Sequence, residues 1–225
     1  MNKNLKGDIL WAICILAWVV MLIIPTTRSI FVSFTSKFVY LGAFIKFAVL
    51  ATMGDLLGKR IISGKWKIEN GFIGKAVVWG LLGMAISLVY TVFTSGALHA
   101  QEIGKLPGYG SKFLQALLGS SIMNLTFGPM LYVYHSFGDL CVDHFVEKKN
   151  LSFNINEMIS KIDWSRMVKF SWLTTCLFIW IPCHTIVFLL PTAYQVLVSA
   201  FLSIMLGILI ALSKRSKPSL VKTSA

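Results

Sequence analysis

Six separate apolar runs, each close to the length needed to cross a bilayer, constrain this chain more than any other feature of it. They cover residues 9–24, 38–57, 72–93, 113–135, 168–190 and 194–212. A hydrocarbon core about 30 Å thick takes about 20 apolar residues in helical form, and a single water-soluble core does not need its apolar residues parcelled this way. The hydrophobic content of 56% and a mean hydropathy of +0.74 point to lipid as the solvent. The expected architecture is all-α: one membrane domain over residues 1–225, a polytopic transmembrane helical bundle of about six spans. A homo-oligomer is compatible with such spans.

The net charge of +12 does not imply nucleic acid. A nucleic-acid binder gathers Lys and Arg on one folded face, whereas here they fill the gaps between apolar runs. With six spans, Arg28, Lys37, Lys105 and Lys112 fall on one side and Lys46 lies within a span. The remaining sixteen of the 21 basic residues, from Lys3 to Lys222, fall on the other. The positive-inside rule then places both termini on the cytoplasmic side, and the basic inner loops suit anionic lipid at about 1 kcal/mol per residue. The short first run, preceded by Lys3 and Lys6, also resembles a signal-peptide core, but no small-x-small cleavage site follows it and an uncleaved helix is expected.

Between the fourth and fifth spans, Ile155, Met158, Ile159 and Ile162 recur at helical spacing, which predicts a helix over residues 155–164 lying on the inner membrane surface. Three residues, Pro191 to Ala193, join the last two spans into a tight hairpin. The four cysteines show no paired or zinc-type spacing and read as free thiols.

Ionisable and polar residues at membrane depth are costly and mark either a bundle interior or a hydrated pathway. Asn124, Gly128, His135 and Asp139 fall within about 60° on one face of the fourth span. They either line a pathway or hold neighbouring helices and mark the watery end of the span. Asp55 is expected at a depth similar to His135, within reach of pairing with it. Lys46, about 12 Å below the outer end of its span, and His184, about 9 Å below its own, form an outer layer. Lys46 either lines a cavity or snorkels to the interface. Pro182 predicts a kink, Pro129 sits within the fourth span, and Gly80 and Gly83 permit close helix approach.

Catalytic signatures are missing: there is no GxSxG, no HExxH and no glycine-rich phosphate loop. His135, Ser136 and Asp139 do not converge as a triad would, because adjacent helical positions point apart. Asp139, Asp143 and Glu147 read as a solvated acidic face more readily than as a cation site. No enzyme activity, cofactor or metal is expected.

Two blocks carry a family resemblance: Met123-Asn124-Leu125-Thr126-Phe127-Gly128-Pro129 running on to His135 and Asp139, and Trp180 with Pro182, His184, Thr185, Phe188, Pro191 and Tyr194. They resemble a bacterial branch of the peroxisomal membrane protein of 22 kDa family (Mpv-seventeen-like), over roughly residues 38–212. Lys59 stands where that family has Gln, and Met84, Ser87 and Val89 replace other motif positions. The resemblance implies a weakly selective membrane pore for ions or small metabolites, with Lys46, Asp55, Asn124, His135, Asp139 and His184 as lining candidates. The alternative is a scaffold or assembly factor whose polar residues only fix packing. A bacterial cytoplasmic membrane is the expected location, ahead of a mitochondrial inner or peroxisomal one.

Overall fold

The computed structural model describes residues 3–215, with side chains for residues 4–209. Lys217 and Lys222 and the C-terminus, all assigned above to the basic side, lie outside the described residues. Among the described residues there are helices and connecting loops and no strand. Six helices are long and apolar enough to cross a membrane, so the chain is a multi-pass membrane protein.

The helices are α1 (Lys3–Ile23), α2 (Pro25–Lys37), α3 (Val39–Ser63), α4 (Phe72–Glu102), α5 (Lys112–Lys148), α6 (Ile155–Lys161), α7 (Trp164–Arg166), a π-helical stretch (Met167–Trp180), α8 (Ile181–Leu189) and α9 (Thr192–Arg215). From α7 through α8 the chain forms one span, Trp164–Leu189. Side-chain oxygens of Ser111, Asn154 and Asp163 accept backbone N–H groups at the starts of α5, α6 and α7, satisfying donors that a helix start leaves open. Gly64, at φ 71°, ends α3 in the left-handed conformation that a β-carbon disfavours.

Three features depart from the expectation. The spans run longer than the apolar runs: α4 continues to Glu102 and α5, with 37 residues, to Lys148, and at about 1.5 Å per residue α5 exceeds the hydrocarbon thickness. Residues 25–37, expected as a connector, form α2. Pro25 occupies its first turn, where a missing N–H costs nothing, and the helix packs Phe31 edge-on against Trp18 at 6.1 Å. Finally, the widened π-helical turn precedes Pro182, with Ile181 N–H donating five residues back to the Cys176 carbonyl. The turn ahead of the proline is thus loosened.

α3 packs extensively on α9 and α4, α4 on α5, and α5 on the π-helical stretch and α8; α8 touches α9, closing a ring of five spans. α1 stands outside that ring, held to the end of α3 by Trp11 Nε1 donating to the Met53 carbonyl (3.0 Å) and by Asp8, which pairs with Arg60 (3.1 Å) and accepts from Trp66 (2.7 Å). Small residues set the helix spacing. A β-carbon at Gly83 would come 2.8 Å from the Ala43 carbonyl, and one at Gly80 would press on the Phe44 ring. Gly54, Gly58 and Gly207 make the same kind of contact between α3 and α9, which no residue singled out from the sequence foreshadowed.

Candidate functional site

The ring encloses a cavity of about 160 Å³ whose wall takes side chains from all five spans. α3 contributes Phe47 and Asp55, α4 contributes Trp79, Ile86 and Tyr90, and α5 contributes Met123, Asn124, Phe127, Leu131, Tyr132 and His135. Ser171, Trp180 and His184 come from the fifth span and Ser199, Ser203 and Leu206 from α9. Helical periodicity explains the α5 set, since Asn124, Gly128 and His135 share one face. Asp139, one turn beyond, belongs to the next cavity.

At one end of the central cavity the polar groups are bonded in series. Ser120 Oγ donates to the Ile181 carbonyl (2.8 Å), and Asn124 Nδ2 donates to the Ser120 carbonyl (2.9 Å) and to its Oγ (3.3 Å). With its amide nitrogen so committed, Asn124 presents Oδ1 as acceptor to His184 Nδ1 at 3.1 Å. That contact assigns the imidazole proton to Nδ1. The His184 ring stacks on Trp180 at 5.3 Å and meets the edge of Tyr90 at 5.6 Å. Tyr90 in turn donates to Ser199 Oγ, whose own proton goes to the Gln195 carbonyl. A parallel series runs from Trp180 Nε1 to Tyr132 (2.7 Å), to Thr175 (2.8 Å), to the Ser171 carbonyl (2.6 Å). His184, expected in a separate outer layer, therefore shares a level with Asn124.

The other end is built differently. Asp55 and His135 do not bond to each other; Trp79 stands between them, donating Nε1 to Asp55 Oδ2 at 2.7 Å while its ring lies 4.1 Å from the His135 imidazole. His135 and Ser171 also line a second cavity of about 320 Å³, walled by Ser136, Asp139, Lys161, Asp163 and Arg166 and more open to the outside. These two residues are shared by the walls of both cavities. His135 Nε2 and Asp139 Oδ1 face each other at 3.9 Å, too far for a hydrogen bond, and both atoms are buried without a protein partner. Farther along α5, Asp143 is taken by Lys75 at 2.8 Å.

Basic residues crowd this end of the bundle, and several are paired. Lys59 bonds Glu69, which holds that carboxyl below its usual range. Lys161, on the wall of the second cavity, bonds Glu157 at 2.8 Å, which lifts the ammonium above and lowers the carboxyl below their ordinary values. Lys46 takes no part in either cavity wall. It lies about half a helical turn round α3 from Asp55, buried, with its ammonium 5.2 Å from the Phe31 ring of α2. Pro182 and Thr185 follow Ile181, whose carbonyl accepts from both Ser120 and Thr185.

The sequence reading did not single out Trp79, Tyr132 or Ser199, and noted Trp180 only as a motif position. For Trp79, Tyr132 and Trp180 the signal was an aromatic side chain with a hydrogen-bonding head inside an apolar run, which in lipid requires an internal partner. Among the described residues no group of three or more His, Cys, Asp and Glu could hold a metal ion. The four cysteines are free thiols, with Cys176 buried and Cys14 exposed. Compared with family models, curated proteins and solved structures, the chain matches none of them.

Proposed function

We propose that this chain is a membrane permeability protein, a weakly selective pathway for ions or small metabolites entered from its basic end. The observation that carries this reading is that His135 and Ser171 line both a polar cavity open at the basic end and the cavity at the centre of the five-span ring; in this reading they form the neck between the two. Asn124, His184, Tyr90 and Phe188 close the far end, so a closed pathway fits this arrangement. Asp55, Asn124, His135 and His184 are lining residues in this reading, Asp139 a residue of the entrance, and no catalysis is involved. The basic end faces the cytoplasm of a bacterium and its loops meet anionic lipid, in keeping with membership of the Mpv-seventeen-like family.

Flux of small solutes through liposomes carrying the purified protein tests the reading. Permeability above that of empty liposomes, lost when Asp55, Asn124 and His135 are replaced by Ala in a folded protein, supports it; unchanged flux in that variant removes the site assignment. One observation favours a second reading as a non-transporting scaffold: the polar groups of Asn124, Tyr90 and Tyr132 are bonded to neighbouring helices. That reading predicts tight liposomes.

A further inference from the structure

We infer that the central cavity selects small organic cations, protonated amines or quaternary ammonium ions, with Asp55 as their counter-charge and aromatic rings as their wall. The inference rests on the permeability reading and adds a substrate class to it. Charge comes first. Asp55 is the one carboxylate on the cavity wall, and no Lys or Arg lines it; His135, His184, Tyr90 and Tyr132 are the other titratable groups there. One oxygen of Asp55 accepts from Trp79, and the other accepts no hydrogen bond among the described residues. Lys59, Lys67 and Lys75 share a separate small pocket with Asp55, outside the wall of the central cavity; Lys59 and Lys75 are committed to Glu69 and Asp143. A solute in the central cavity therefore meets a carboxylate and no Lys or Arg on the wall around it, in a medium of low dielectric where a cation is favoured over an anion.

The rest of the wall decides which kind of cation. Trp79, Tyr90, Tyr132 and Trp180 contribute ring surface beside Ile86 and Phe127. A cation at a desolvated aromatic face is attracted by the ring quadrupole, and alkyl substituents on it replace water at apolar wall. A bare divalent ion asks instead for six or more oxygen ligands, and no group of three or more acidic or imidazole side chains is gathered among the described residues. The volume of about 160 Å³ is close to that of a cavity which accepts benzene, about 150 Å³, and so suits a solute of about six to eight heavy atoms.

The test is calorimetric titration of the purified full-length protein in detergent with choline and with 3,3-dimethylbutan-1-ol, its uncharged carbon isostere, and with acetate. Choline is expected to bind saturably and at least about tenfold more tightly than the isostere, with acetate showing no binding. Asp55→Asn, which keeps an acceptor for Trp79, is expected to abolish that preference. Equal affinity for choline and its isostere in the unaltered protein, or tighter binding of acetate, overturns the inference without recourse to any variant. Solute flux in liposomes separates the two claims. A choline preference in calorimetry with tight liposomes would sustain the cation site and remove the permeability reading, whereas flux that ignores charge would do the reverse.

Discussion

Replacing Gly54 or Gly207 with Ala should loosen the bundle at the contact between α3 and α9. A β-carbon at Gly54 would lie 2.7 Å from the Ser203 carbonyl oxygen and 3.0 Å from Ile204 Cα, and one at Gly207 would fall inside contact distance of the Gly54 carbonyl. These are backbone atoms, which no rotamer change can move aside. The two helices must part by about 0.5 Å, enough to forfeit a quarter of the dispersion well for the atoms along the seam. Overpacking of this kind costs about 1–3 kcal/mol, against a gain of up to about 1 kcal/mol in helix propensity. With the full propensity gain the net expectation is a loss of up to about 2 kcal/mol. Gly96→Ala in α4 provides the control: nothing lies within 4 Å of a β-carbon there, so only the propensity gain applies. Thermal and SDS-induced unfolding in mixed micelles would report the difference. If Gly54→Ala and Gly207→Ala proved as stable as Gly96→Ala, close backbone contact would not be what seats α9 against the ring.

Asn124→Ala should cost about 1–3 kcal/mol, because it removes the acceptor of the His184 Nδ1 proton and leaves a buried donor unmatched; Asn124→Asp, which keeps an acceptor, should retain more of the stability in the same unfolding assay. The depressed Glu69 carboxyl makes a pH prediction. Its pairing with Lys59 contributes stability that is present above the ordinary value of 4.5 and is lost as pH falls through the lower folded value. With both side chains about two-fifths exposed, the contribution should stay under about 1 kcal/mol. Lys59→Ala should remove that acid-side slope from a stability-versus-pH curve, and an unchanged slope would count against the pairing.

The six spans were legible because lipid demands long apolar helices and hydropathy reports them directly. α2 was not, since Thr26, Thr27, Arg28, Ser29, Ser33 and Thr35 dilute its apolar residues below any spanning signal, although Pro25 at its head was a start signal. The polar face of α5 followed from period alone. What did not follow was depth. Counting inward from the ends of apolar runs placed His184 apart from Asn124, although α5 begins and α8 ends within a residue of those runs on that side; the level of one helix against its neighbour is set by packing, which counting along each run does not supply. The π-helical stretch ahead of Pro182 likewise has no residue pattern to announce it. Lys46 and Asp55 illustrate a related limit: both are charged and share α3, yet nine positions separate them by half a turn, so only one reaches the cavity. Trp79, which comes between Asp55 and His135, could be recognised only once α3, α4 and α5 were seen together.

The most direct test of a solute pathway through the ring is reaction at the neck between the two cavities. Ser171→Cys, in a protein whose Cys14, Cys141, Cys176 and Cys183 have been replaced by Ser or Ala, puts a thiol where both cavities meet. A membrane-impermeant cationic methanethiosulfonate applied to the basic face of reconstituted liposomes should modify it and abolish solute flux. A folded protein that conducts solute but leaves this thiol unmodified, or that conducts equally well once it is modified, would contradict passage through the neck.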